Sequence, residues 1–77
     1  MRSKIYEKGP VRYIHTFRED YNVVSISNLG RPVSEADWFY ATEKFLKLDI
    51  TDVEITITPR EVVIIREKSE SILRFAH

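Results

Sequence analysis

The chain has no cysteine, which excludes disulfides, thiolate nucleophiles and cysteine-ligated zinc. It has only two glycines, Gly9 and Gly30, so a glycine-rich phosphate loop of the P-loop or dinucleotide type is absent. No apolar run exceeds four residues, as in Val62 to Ile65. That is far short of the roughly 20 residues of a membrane-spanning helix, and no core of an export signal is present. There is no excess of charge of either sign: 12 basic and 12 acidic side chains balance. A disordered acidic tail and a strongly basic nucleic-acid coat are therefore excluded. Glutamine is missing altogether, and Met1 is the single methionine.

What is present describes a small folded chain. Its 77 residues suit one domain, residues 1–77, with no room for a second core. A domain of this size buries a limited share of its surface, so self-association or a permanent partner is a natural expectation. Nine isoleucines and seven valines against four leucines lean toward strands. With no export signal, the expected location is the cytoplasm, and no membrane association is expected.

Charge is unevenly placed. Residues 1–18 hold Arg2, Lys4, Lys8, Arg12 and Arg18 against Glu7, a net of +4, and the remainder carries −4. Imbalance on solvated strand faces accounts for this as well as a basic patch that meets an anion or an acidic partner.

Alternation marks the strands. Val11, Tyr13, His15 and Phe17 share one face, and Val24 and Ile26 alternate with Val23, Ser25 and Ser27. A turn at Glu19-Asp20 pairs Arg18 with Tyr21, His15 with Val24 and Tyr13 with Ile26. Proline is disfavoured at the second central position of a tight turn, so a longer loop through Lys8-Gly9-Pro10 is expected, pairing Ile5 with Tyr13. After Leu29-Gly30-Arg31-Pro32, Ser34 and Asp37 form a capping box, and Val33 and Trp38 have hydrophobic-staple spacing. Trp38, Ala41, Phe45 and Leu48, widened by Phe39 and Leu46, predict an amphipathic helix over about residues 34–48.

Further on, Val53, Ile55 and Ile57 alternate with Glu54, Thr56 and Thr58. A tight turn at Pro59-Arg60 would set Ile57 opposite Val62 and Ile55 opposite Ile64. A second turn near Lys68-Ser69 would set Ile64 opposite Leu73 and Val62 opposite Phe75. The expected architecture is α+β, in the order βββ-α-βββ. It is a mostly antiparallel sheet of five to six strands with one helix on one face. Strand order is not specified by the pattern. The covered face would carry Ile5, Tyr13, Phe17, Val24, Ile26, Ile55, Ile57, Val62, Ile64, Leu73 and Phe75.

Those registers leave Ile14, Val23, Val63, Ile65 and Ile72 on the opposite face, among Arg12, Thr16, Ser25, Thr56 and Arg74. An apolar patch framed by polar groups marks an interface, unless a terminal strand folds over it. Self-association as a homodimer is its simplest form, and a larger protein partner is the other.

Candidate chemistry is sparse. His15 lies on the apolar face, where a lone histidine is most often packed, and His77 is the other histidine. Two histidines and no cysteine do not suffice for zinc, although a carboxylate-rich site for a hard cation stays open. Glu19-Asp20, Asp49 and Asp52 fall where turns favour acids. Ser25, Ser27 and Ser34 have no recognisable base or oxyanion motif nearby. No catalytic residue, metal ligand or cofactor is therefore expected. The first reading is a non-enzymatic binding or regulatory module acting through the sheet face. The alternative is a nucleic-acid binder using Lys4, Tyr6, Arg12 and Arg18, because cations interleave with rings in the N-terminal strands. An enzyme whose site is shared across a subunit interface stays open as a third reading.

Overall fold

The computed structural model describes residues 2–18 and 21–68; of Tyr21 only the backbone is described. Three strands, β1 (Arg2–Lys8), β2 (Val11–Arg18) and β3 (Tyr21–Asn28), precede a helix. Two more, β4 (Val53–Ile57) and β5 (Val63–Glu67), follow it. All neighbours pair antiparallel, in the order β1-β2-β3-β5-β4. The α+β class and the single helix between β3 and β4 are as the sequence predicts. The sixth strand expected around Ile72 to Phe75, and the turns at Glu19-Asp20 and Ser69, lie outside the described residues.

The helix begins where its chemistry says it should. Ser34 caps α1 (Glu35–Ala41), with its side chain accepting from the Asp37 N–H and the Asp37 carboxylate accepting from the Ser34 N–H. Both partners satisfy amide donors that a helix start otherwise leaves open. Val33 is buried in the core, and Trp38 packs partly buried against the same core. The last turn, Thr42–Leu46, widens into a π turn. Lys47 then turns left-handed (φ 58), and the N–H groups of Lys47 and Leu48 both donate to the Thr42 carbonyl. Thr42, one turn on from Trp38, is fully buried, while Phe39, expected on the stripe, is exposed. Burial of Thr42 is tolerated because its Oγ1 donates to the Trp38 carbonyl at 2.7 Å.

The helix packs on β3 and β5. Beneath it the core joins Val11, Tyr13, Val24, Ile26, Val63 and Ile65 to Val33, Ala41, Phe45, Leu46 and Val53.

The β2–β3 register matches the expectation at every stated pair: Arg18 with Tyr21, His15 with Val24, Tyr13 with Ile26. The two outer hairpins differ by one residue, and a one-residue slip moves every side chain to the other face. In the first, Lys8 pairs with Val11, leaving a two-residue turn, and Ile5 faces Ile14 instead of Tyr13. Gly9 takes φ +61, a primed turn in which the first central residue is not in the αR region. The objection to Pro10 at the second position applies to type I turns, where it would force its predecessor out of αR. No cis bond is needed, and none occurs among the described residues.

In the last hairpin, Ile57 pairs with Val63 and Ile55 with Ile65. The Glu61 N–H donates to the Thr58 carbonyl, and the Thr58 N–H to the Val62 carbonyl, each at 2.9 Å. Glu61 adopts φ 62 and adds one residue to the expected two-residue turn, as in a three-residue hairpin loop. Val63 and Ile65 thus occupy the core positions expected for Val62 and Ile64. Ile5 and Ile64 lie on the open face, and Ile57, though on the helix side, is 58% exposed at the β4 edge.

Candidate functional site

The shifted registers of the two outer hairpins move the candidate site residues on β1 and β5 to the other face. Val63 and Ile65 are 1% and 0% exposed under the helix, so they do not belong to the open-face patch. Ile14 and Val23 do lie on that face, joined by Ile5 and Ile64. Ile72 lies outside the described residues. Across the sheet, Ile5, Ile14, Ser25, Ile64 and Thr56 stand in one cross-strand row. Val23, opposite Thr16 and Arg66, sits one row along and is itself largely covered. Ion pairs flank the row: Arg12 with Glu7 at 3.6 Å, and Arg66 with Glu54 at 3.2 Å. These pairs are exposed, so each adds little to stability. Their effect is to pair off most of the charge beside the apolar row, with Arg18 at one end of the same face.

The four residues expected to share a nucleic-acid face are divided by the sheet. Arg12 and Arg18 are on the open side, and Arg12 is engaged by Glu7. Lys4 and Tyr6 are on the helix side, opposite His15 and Tyr13. There they join a connected set of rings around Phe45. Its centroid is 4.7 Å from Tyr6, 5.4 Å from Tyr13, 5.8 Å from His15 and 6.1 Å from Tyr40. Phe17 extends the row from His15 at 5.0 Å. The Lys8 and Lys44 ammonium groups stand 4.3 and 5.7 Å from the Tyr40 centroid. Such cation–π contacts hold the two lysines at the rim of the ring cluster. Sequence reasoning missed this cluster because the expected register put Lys4 and Tyr6 on the other side of the sheet.

Tyr13 is the anchor of the row. It is 1% exposed, and its hydroxyl donates to Asp37 Oδ1 at 3.2 Å. Burial, then the Asp37 charge and hydrogen bond, push its hydroxyl up from 10.0 to about 12. The folded state thus holds Tyr13 protonated more strongly than the unfolded chain does. That stability is complete below pH 10 and is lost as pH rises toward about 12. Two units correspond to roughly 2–3 kcal/mol. Urea unfolding from about pH 8 to about pH 11 should show about half of this decline, and Tyr13→Phe should flatten it while costing about 1–2 kcal/mol at neutral pH.

His15 is occupied. Its Nε2 shares a hydrogen bond with Asn22 Oδ1, and its ring packs on Phe17 and Phe45. Among the described residues, no group of three or more His, Cys, Asp or Glu side chains converges as a metal site would require. Asp49 caps the short 3-10 turn Ile50–Asp52, accepting from the Thr51 N–H at 3.1 Å. This is the local turn role expected of an acid there. An open hollow at the Gly9 end of the sheet is lined by Glu7, Arg12, Ser27, Asn28 and Leu29. No helix among the described residues is long and apolar enough to cross a membrane.

No family model, curated protein or solved structure matches this chain. Functional inference therefore rests on these two surfaces alone: a sheet face with its central charges paired, and a basic row of rings.

Proposed function

We propose that this protein is a small, non-enzymatic binding module that acts through protein–protein contact, self-associating through its open sheet face. The observation that carries this reading is the row of Ile5, Ile14 and Ile64 across a face that no helix among the described residues covers. Ile5 is 62% exposed, although water is a poor environment for it. Serine and threonine line the row, and the Glu7–Arg12 and Glu54–Arg66 pairs flank it. A face whose charges are mostly paired does not repel a second copy of itself, and symmetric pairing is the commonest form of oligomer. The net charge of zero likewise removes long-range repulsion between copies. A regulatory role, exerted by occupying a partner's surface, and a cytoplasmic location belong to the same proposal.

The test is the mass in solution. Sedimentation equilibrium should give a dimer for the parent chain. Ile14→Asp should give a folded monomer, because Ile14 is central to the row and half-buried. A parent chain that remains monomeric at high concentration would overturn the reading.

A further inference from the structure

The helix side of the β1–β2 hairpin carries features that self-association through the opposite face does not use. Within β1, Arg2, Lys4, Tyr6 and Lys8 share this side, because alternate residues of a strand point the same way. Arg2 stands opposite Phe17, Lys4 opposite His15, and Tyr6 opposite Tyr13. Cations on the outer strand therefore run alongside rings on the next. Alternate positions on a strand are about 7 Å apart, which spreads three positive charges along one edge with a tyrosine between them.

The only acid of β1, Glu7, points to the other face and is held there by Arg12. β2 contributes no acid at all. From the helix, Lys44 adds a further cation beside Tyr40. Asp37 reaches the row only through the Tyr13 hydroxyl, with its other oxygen turned to Ser34. Every residue of β1 is exposed, and Tyr6, packed against Phe45, keeps 40% of its surface open to solvent.

We propose that this row binds single-stranded nucleic acid, with Arg2, Lys4 and Lys8 on phosphates along the strand and Tyr6 stacking a base. Cations alone would suit any polyanion, but the alternation with rings is what discriminates. A base has a π face that a ring can cover, whereas an acidic peptide has none to offer. In a duplex those faces are already stacked inside the helix and out of reach. The remainder of the chain, residues 19–77, carries a net −4 and repels phosphate. Contact is thereby confined to the hairpin, which suits a short single strand.

Fluorescence anisotropy with labelled mixed-sequence single-stranded DNA and RNA 12-mers tests this, beside the matching duplex and unlabelled polyglutamate as competitor. Three phosphate contacts on a single strand should weaken binding about 20-fold between about 50 and about 200 mM salt. Lys4→Glu, at an exposed position, should reduce affinity at least about tenfold with an unchanged melting temperature. Tyr6→Ala should weaken binding by about tenfold or more, and Tyr6→Phe should restore it, since a stacked ring needs no hydroxyl. The restoration separates stacking from any loss of packing on Phe45. Arg12→Glu, on the opposite face, should leave affinity within about twofold. Absence of binding at low salt, equal affinity for duplex, full competition by polyglutamate, or indifference to Tyr6→Ala would each overturn the proposal. None of these outcomes bears on the sheet-face dimer, which sedimentation reads separately.

Discussion

Ile65→Asp is expected to unfold the protein. Ile65 is completely buried, opposite Val24 on β3 and Ile55 on β4. A carboxylate there would lose its hydration with no partner in reach, a cost of about 4 kcal/mol or more together with the lost packing. Total stability for a domain of this size is about 4–12 kcal/mol. The residue before it gives the control. Ile64 is half-buried on the open face, opposite Ser25 and Thr56. Ile64→Asp should cost about 1 kcal/mol or less and leave the chain folded. Circular dichroism and urea unfolding of the pair would decide the register directly. Under the register expected from sequence the outcomes would be exchanged, with Ile65→Asp folded and Ile64→Asp unfolded.

Phe45→Ala should be the most damaging truncation on the helix. Its ring touches Tyr6, Tyr13, His15 and Tyr40, so it joins the helix to both N-terminal strands. Removing a buried phenylalanine costs about 3–5 kcal/mol. At about 4–8 °C per kcal/mol for a domain of this length, the melting temperature should fall by roughly 15–30 °C. Phe39, on the same helix and 46% exposed, is the comparison. Phe39→Ala should shift stability by no more than about 0.5 kcal/mol. Equal losses for the two would mean that the helix sits on the sheet by a different face.

The two surfaces bear differently on function. Self-association through the open face would leave the ring row free, because the sheet stands between them. A dimer would then present two such rows on opposite outer sides. The single-strand proposal moves the nucleic-acid reading from a mixed set of residues to one side of one hairpin. Lys4 and Tyr6 remain in it, joined by Arg2, Lys8, His15 and Phe17, while Arg12 and Arg18 drop out.

The sequence by itself determined the order of elements, the helix start and the central hairpin, because each depends on residues close in the chain. Ser34, Asp37 and Val33 act within one helical turn. On β3, Val24 and Ile26 alternate with Ser25 and Ser27, so only one register buries the apolar pair. The outer hairpins lack that contrast. Ile5 and Tyr6 are adjacent and both apolar, so either face of β1 is acceptable to the pattern. The run from Val62 to Ile65 has no alternation to read. In both hairpins the register was set by one backbone choice in the turn, φ +61 at Gly9 and φ 62 at Glu61. Tertiary structure also decided that β5 inserts between β3 and β4, and that the helix buries Thr42 and leaves Phe39 exposed. These are contests between alternatives of similar local energy, and packing under a single helix settles them. The membership of both candidate sites followed from those contests, which is why the pattern placed Lys4, Tyr6, Val63 and Ile65 on the opposite face from the one they occupy.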